Sequence, residues 1–182
     1  VDLEAYPAQA SARRSMKENA MILLDKFDEF GSQKAVVAMA KIAIYTRLRQ
    51  IETWPAGIQL KDAKGEVIET LDVEESQKLD YIINGESGLI PQILENKHRI
   101  AVFSQFKAPL KILKERIESL GYRAAIMTGE TSLDEREVIN KDFDRQFTNN
   151  GDGEFKYHVI LCHYKVGGMG FNFTAATHTV IV

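Results

Sequence analysis

The fold of this 182-residue chain is decided by its last stretch, Tyr157–Val182, which reads YHVILCHYKVGGMGFNFTAATHTVIV. Tyr157–Cys162 is a short apolar run with β-branched Val159 and Ile160, a composition typical of a central strand in a parallel sheet. Thr177–Val182 returns to this pattern and predicts a second buried strand. Ligands of open α/β sheets bind at loops that follow the carboxyl ends of such strands, so the loop between the two strands is the first candidate for a site.

Three glycines lie within four positions of this loop, at Gly167, Gly168 and Gly170. Glycines leave backbone N–H groups uncovered and let a phosphate or a ribose approach closely. We therefore predict that this backbone lines a nucleotide site, and the alternative is that the glycines only allow a tight turn between a strand and a helix. A dinucleotide-binding fingerprint is excluded, because Phe173 occupies its third glycine position and no acidic ribose partner follows.

A regular alternation of strand and helix patterns begins at Arg99. The predicted strands are Ile100–Ser104, Arg123–Thr128, Tyr157–Cys162 and His178–Val182. The helix after the first strand has Leu110, Leu113, Ile117 and Leu120 on one face, and the helix after the second has Val138, Ile139 and Phe143 inward. Strands that alternate with helices imply right-handed crossovers and a parallel sheet, so the predicted fold class is α/β.

The first part of the chain predicts helices and one hairpin. Residues 1 to about 14 show little periodicity and are predicted to be a loop, followed by helices over Met16–Phe30, ended by Gly31, and Lys34–Ile51. The second helix is apolar on most sides, so we expect it to be buried on more than one face. Ile58–Leu60 and Glu66–Leu71 flank a polar turn closed by glycine, which indicates a small β-hairpin.

Two further short helices, Glu75–Ile83 and Leu89–Glu95, lead into the sheet. The chain therefore divides into three predicted regions. These are a helical appendage over residues 1–57, a hairpin and linker over residues 58–75, and an α/β lobe over residues 76–182.

Composition excludes several classes of protein. Hydrophobic residues make up 45% of the chain and charged residues 27%, which is typical of a soluble globular protein. No apolar run approaches the roughly 20 residues that a membrane span needs. The lone Cys162 suits a reducing compartment, and with no visible signal peptide we expect an intracellular location, in the cytoplasm, nucleoid or nucleus. The net charge of −3 means that any contact with DNA has to come from a local patch.

Four ordered segments resemble one family. Residues 164–176, YKVGGMGFNFTAA, are similar to the fifth conserved motif of Swi/Snf-like DNA-translocating ATPases of helicase superfamily two. Arg99–Phe106 is similar to the fourth motif, and Thr128–Arg136 to the loop and helix between the two. Leu48–Ile51 and Ser76–Leu79 fall where the family has comparable segments. The resemblance implies the second, C-terminal RecA-like lobe, with a parallel sheet flanked by helices and incomplete before the sixth motif.

The resemblance also implies site residues and partners. ATP and Mg²⁺ would be held mainly by a first RecA-like lobe outside this chain, with the N-terminal helices forming the family's protrusion. The residues implied to contact ATP are Gly167, Gly168, Gly170 and Asn172. Those implied to contact the DNA backbone, without sequence preference, are Ser104, Gln105, Gly129, Thr131, Lys165 and Thr174. No catalytic or metal-ligating residue is implied in this chain, and no membrane partner.

Two positions depart from the family pattern. Glu130 stands where relatives often have a small or basic residue, and its charge would repel a phosphate. His163 stands where relatives favour serine. Close by, Ser132 and Glu135 have the spacing of a capping box, which predicts the start of a helix whose first amides are able to hold a phosphate.

Two apparent metal sites are set aside. Asp134 and Glu135 resemble an acidic magnesium-binding pair, but that pair has to follow a buried strand, whereas this one opens a helix. His158 and Cys162 would lie about 13 Å apart on one strand, too far to share a zinc ion.

The chain contains no Gly-x-x-x-x-Gly-Lys-Ser/Thr loop, so we predict that it does not hydrolyse ATP alone. Two other functions stay open on the residues: a lobe of a helicase that acts on RNA or single strands, and a non-catalytic module that binds a partner protein.

Overall fold

The structure, a computed structural model, describes residues 3–29, 34–61, 66–144, 156–167 and 171–182. The chain separates into two compact units, Val1–Lys78 and Leu79–Val182. Each unit is described by itself below. The three-region division at residues 57 and 75 stays a prediction.

The first unit contains a pair of helices and a hairpin. Helix α1 (Pro7–Glu29) packs against α2 (Lys34–Thr53), and strands β1 (Gln59–Lys61) and β2 (Val67–Thr70) pair antiparallel, as the sequence predicted. Its core consists of Ala12, Ile51, Ile58, Leu60 and Leu71, with Met16 packed against it.

Buried Gln9 closes the end of α2 in this unit. Its amide donates to the carbonyls of Ile51 (2.8 Å) and Glu52 (3.0 Å), two of the terminal carbonyls that a helix cannot satisfy itself.

Two predictions for this unit are wrong. Helix α1 begins at Pro7, inside the predicted loop, because proline is tolerated in the first turn of a helix and Ala12 packs into the core. Helix α2 is not buried on several faces, since Met39 and Ile42 are exposed and Tyr45 is 68% exposed. Apolar composition alone does not tell which face of a helix is covered. The predicted helix end at Phe30 and Gly31, and the hairpin turn at residues 62–65, lie outside the described residues.

The second unit contains the parallel sheet. Helix α3 (Gln77–Ile83) spans the boundary between the units, followed by a 3₁₀ turn (Gly85–Ser87) and α4 (Leu89–Glu95). The elements that follow are β3 (Ile100–Ser104), α5 (Lys107–Ser119), β4 (Ala124–Met127), α6 (Leu133–Asp144), β5 (Val159–His163), α7 (Tyr164–Gly167) and β6 (His178–Ile181).

All four strands of this sheet run parallel in the order β4-β5-β3-β6, which confirms the predicted α/β architecture. Ile100 pairs with Val159 on one side and with His178 on the other, and Ser104 pairs with His163. The central strands β5 and β3 therefore end side by side.

The sequence placed most of the core correctly. Leu110, Leu113 and Ile117 on α5 and Phe143 on α6 are fully buried. A second cluster joins Met127, Phe143, Ile160, Cys162 and Val166, with Ile139 packed against it. No helix in the described part of the chain is long and apolar enough to cross a membrane.

Three apolar residues of this unit are not buried as predicted. Val138 is 54% exposed, because Ile139 and Phe143, four residues apart, define the inner face of α6 and Val138 lies beside it. Leu120 is also exposed, since α5 ends at Ser119. Ile181 is 70% exposed, and the predicted buried strand β6 is an edge strand that pairs with β3 alone.

Candidate functional site

The candidate site lies where β3, β4 and β5 end at one edge of the sheet. The register pairs Ser104 with His163 and Met127 with Cys162, so the loops that follow these three strands start at the same level. Gln105, Gly129, Thr131 and Lys165, four of the positions that the resemblance assigns to DNA, follow these strand ends. Gly168 and Gly170 lie outside the described residues, and Gly167 is the last residue of α7.

The end of β3 presents one buried and one accessible residue. Ser104 is fully buried and its hydroxyl accepts the N–H of Phe106 (3.2 Å), so its side chain shapes the start of α5. Gln105 is partly exposed, and its carbonyl accepts a hydrogen bond from His163. A DNA contact by either residue stays a prediction, and the geometry favours Gln105 over Ser104.

The turn after β4, residues 128–132, is here called the threonine turn. Its two threonines bind each other's backbone: Thr131 donates its N–H to the Thr128 carbonyl (3.1 Å), and Thr128 donates its N–H to the Thr131 hydroxyl (3.1 Å). Glu130 also donates its N–H to the Thr128 hydroxyl (3.2 Å). Gly129 is exposed at the tip, with open space where a Cβ would stand. The turn is therefore closed by its own side chains.

The predicted capping box at the start of α6 is confirmed. Ser132 donates its N–H to the Glu135 carboxylate (2.9 Å), and Glu135 donates its N–H to the Ser132 hydroxyl (3.3 Å). The hydrogen bond from the Ser132 backbone, followed by that from its hydroxyl, holds the pKa of Glu135 below its ordinary value.

Arg136 is a structural residue that the sequence did not reveal. It is only 6% exposed, and its guanidinium donates to the Thr128 carbonyl (3.1 Å), which fastens the threonine turn to α6. A charged residue near the start of an amphipathic helix is usually exposed, so the spacing of apolar residues along α6 did not predict that Arg136 is buried.

Glu130 is less repulsive to a phosphate than its charge alone suggests. Lys107 Nζ at the start of α5 lies 2.6 Å from the Glu130 carboxylate in an exposed ion pair. The hydrogen bond from Lys107, its charge and the charge of Lys111 keep the pKa of Glu130 below its ordinary value. An open groove on the α6 side of the turn is lined by Thr128 and Thr131 together with the acidic residues Glu130, Asp134 and Glu135.

His163 joins the loops after β3 and β5. Its Nδ1 accepts the backbone N–H of Lys165 (3.3 Å), and its Nε2 lies 2.9 Å from the Gln105 carbonyl. Because Nδ1 accepts, the ring proton is on Nε2, which donates to that carbonyl. Lys165 itself lies exposed on α7.

Residues 164–177, here called the glycine segment, return to the core at their far end. Phe173 packs edge-on against Phe143, with ring centroids 6.2 Å apart, and against Phe103 at 6.1 Å. Asn172 and Thr174, on either side of Phe173, are exposed. This alternation packs the partly buried aromatic ring against the core and leaves the two predicted ligand-binding side chains accessible.

Two further contacts hold the far end. Ala175 donates its N–H to Asp144 Oδ1 (2.9 Å), and Thr177 donates its N–H to the Arg99 carbonyl (2.9 Å). The guanidinium of Arg99 donates to the Phe143 carbonyl at the end of α6 and stacks over the Phe143 ring. Burial lowers the pKa of Arg99, and the charge of Asp144 opposes this.

The structure thus brings Gln105 and Lys165 together through His163, and places Gly129 and Thr131 on the neighbouring strand end. Among the described residues, no group of three His, Cys, Asp or Glu side chains is arranged to hold a metal ion. The described residues of this edge offer hydrogen-bond donors and, at Lys165, an exposed positive charge.

Comparisons with known proteins identify the family of the chain. Residues 85–182 match the family described as helicase conserved C-terminal domain. The chain is 31% identical over 107 residues to an Oryza sativa protein named SNF2 domain-containing protein ENL1, covering 59% of this chain and 10% of the relative. It is 32% identical over 94 residues to a Caenorhabditis elegans protein named SWI/SNF-related matrix-associated actin-dependent regulator of chromatin subfamily A containing DEAD/H box 1 homolog, covering 51% and 9%. The chain spans about a tenth of the length of these relatives.

Solved structures show the same fold. The Sulfolobus solfataricus SWI2/SNF2 ATPase C-terminal domain matches with a TM-score of 0.74 at 24% identity, covering all of this chain and 69% of that one. The core of the Sulfolobus ATPase, solved in complex with double-stranded DNA, matches with a TM-score of 0.71 at 24% identity, covering 98% and 33%. The resemblance to Swi/Snf-like ATPases that the sequence indicated is confirmed. Because the family model covers more than half of its residues, this chain belongs to the helicase conserved C-terminal domain family.

Proposed function

We propose that this chain is the second motor lobe of an ATP-driven translocase of double-stranded DNA. ATP binds between this lobe and a first lobe outside this chain, and the hydrolysis cycle moves the two lobes along the duplex. The observation that carries the proposal is the shared edge of the sheet, where Gln105, Thr131 and Lys165 follow three neighbouring strands. The similarity to an ATPase core solved with duplex DNA supports the choice of ligand.

The DNA contacts are to phosphates. Lys165 supplies a positive charge, and the amides and hydroxyls near Gln105, Gly129, Thr131 and Thr174 supply neutral hydrogen-bonding groups. Phosphates are the same at every base pair, so contacts with them carry no sequence information. Binding is therefore independent of sequence and weakens with salt, as expected for a protein of net negative charge that holds DNA by a local patch.

The nucleotide contacts come from the glycine segment. Gly167, Gly168 and Gly170 contribute backbone groups, and exposed Asn172 contributes its amide. ATP, with Mg²⁺ held mainly by the first lobe, supplies the phosphoryl group whose transfer to water drives the cycle. In this division of labour the present chain senses the nucleotide and does not cleave it. We also propose that residues 1–57 form the protrusion of the lobe and that the protein works inside the cell, in the cytoplasm, nucleoid or nucleus.

The nucleic-acid preference of the full-length protein tests this function. ATP hydrolysis is measured with duplex DNA, single-stranded DNA and RNA at equal nucleotide concentrations. The expected result is strong stimulation by duplex DNA and negligible turnover by residues 1–182 alone. Stimulation chiefly by single strands or RNA would instead indicate a helicase of that class, and no turnover under any condition would indicate a non-catalytic partner-binding module.

The role of Lys165 is tested by comparing Lys165→Ala with Lys156→Ala in the full-length protein. Lys156 precedes β5 at the opposite edge of the sheet, where it pairs with Asp142, so both variants remove one exposed positive charge. We expect Lys165→Ala to weaken duplex binding and to reduce the slope of log affinity against log salt by about one. Lys156→Ala is expected to leave the affinity and the salt slope unchanged. Equal effects of the two variants would show that Lys165 makes no specific contact with DNA.

A further inference from the structure

The imidazole of His163 is the only described side chain that hydrogen-bonds both to the loop after β3 and to the glycine segment. We propose that His163 is a positioning residue, which couples Gln105 to Lys165 so that the two DNA-contacting loops move as one unit. This inference rests on the proposed DNA-translocating function, because it assigns a mechanical role within the same site.

The geometry allows this link in one protonation state. Nδ1 accepts from the Lys165 N–H, so a neutral ring has its single proton on Nε2, aimed at the Gln105 carbonyl 2.9 Å away. Both ring nitrogens are then occupied, which fixes the plane of the ring as well as its position. Ser104 pairs with His163, so β3 and β5 end at the same level of the sheet. The half-buried ring of His163 therefore connects the loop after β3 with the loop after β5.

The side chain of His163 is long enough to contact both loops. Nδ1 lies close to the backbone and caps the start of α7, a role that short polar side chains also perform. Nε2 lies on the far side of the ring and reaches an element 58 residues away in sequence. Serine, which the resembling family favours at this position, could cap α7 but could not reach the Gln105 carbonyl. The bridge therefore depends on the histidine at position 163.

Two substitutions separate the cap from the bridge. His163→Asn keeps an acceptor for the N–H two residues ahead but is too short to reach Gln105, whereas His163→Ala removes both contacts. In the full-length protein we expect His163→Asn to raise the duplex concentration needed for half-maximal ATPase stimulation by about three- to tenfold, the range for one hydrogen bond of ordinary strength. The KM for ATP is expected to stay unchanged, and His163→Ala is expected to lower thermal stability as well.

A double-mutant cycle provides the decisive test. The measured quantity is again the duplex concentration needed for half-maximal ATPase stimulation. If His163 acts by holding Lys165 in place, His163→Asn should raise this concentration little further in a protein that already has Lys165→Ala. The same substitution should keep its full effect in a protein that has Lys156→Ala. Additive effects in both backgrounds would overturn the inference. Failure of the wild-type protein to respond to duplex DNA would overturn the proposed function instead, so the two failures are distinguishable.

The hydrogen bonds themselves are tested without DNA. In the ¹⁵N-histidine NMR spectrum, the His163 signals, assigned by their loss in His163→Asn, are expected to show the ring proton on Nε2 and none on Nδ1. A proton on Nδ1, or rapid averaging between the two forms, would contradict the bridge.

Discussion

The threonine turn and the glycine segment follow neighbouring strands of one sheet, but they are held in different ways. The threonine turn is closed by short-range hydrogen bonds, all within nine consecutive residues. They join Thr128 to Thr131 and Arg136, and Ser132 to Glu135. The described residues of the glycine segment are held by other elements: His163 at the end of β5 accepts the Lys165 N–H, Val166 is buried in the core cluster, and Phe173 and Ala175 contact α6. A turn with internal bonds keeps one shape whether or not a ligand is present. We expect a segment that is held by contacts with other elements to pass a change in one of those elements on to the others.

The largest expected effect comes from removing the far anchor of the glycine segment. Phe143→Ala deletes a fully buried ring that packs against Phe173, and we expect a loss of about 3 to 5 kcal/mol in the free energy of unfolding. Urea unfolding followed by circular dichroism measures this loss. Val138→Ala on the same helix is the control and is expected to stay within about 0.5 kcal/mol, because its side chain is mostly exposed. Equal losses would mean that α6 is anchored by another face.

A smaller effect is expected from opening the threonine turn. Arg136→Ala removes the charged hydrogen bond to the Thr128 carbonyl, which predicts a loss of about 1.5 to 3 kcal/mol. Thr131 still donates to that carbonyl, so the turn loosens without leaving a buried acceptor unpaired. Hydrogen exchange is expected to speed up at the amides of Glu130 and Thr131 and to stay unchanged in the glycine segment.

Lys141→Ala is the matched control for Arg136→Ala. Lys141 lies on the same helix, exposed, with only a surface ion pair to Glu137, and such pairs contribute little. If faster exchange spread into residues 171–177 in the Arg136 variant, the two segments would not be independently held.

The difference between the two segments was only partly predictable from the sequence. The capping box of Ser132 and Glu135 was predicted, because it depends on two residues at a fixed short spacing. The strands and their parallel direction were also predicted, because strands that alternate with amphipathic helices imply a parallel sheet. The order of the strands in the sheet was not predicted. These features are local, or follow from general rules of chain connection.

The missed features depend on contacts between residues far apart in the chain. The burial of Arg136, the bridge from His163 to Gln105 and the exposure of Tyr45 on α2 each depend on which element lies opposite, and periodicity along one helix does not contain that information. Ser104 shows the same limit. The resemblance implied a DNA contact for Ser104, whereas the fold buries its side chain beside the start of α5.

The smallest effect separates charge from hydrogen bonding in the threonine turn. The pKa of Glu135 is lowered in the folded protein, so its contribution to stability is fully present above the ordinary value of 4.5 and is lost as the pH falls through that value toward the lowered one. Glu135→Gln keeps an acceptor for Ser132 but no longer titrates. We therefore expect the variant to be slightly less stable than the wild type at pH 7 and to lose less stability on acidification. Urea midpoints measured from pH 7 to pH 3 for both proteins, with Glu137→Gln as an exposed control on the same helix, test this. Parallel pH profiles for wild type and Glu135→Gln would show that the capping hydrogen bonds hold the turn without help from the carboxylate charge.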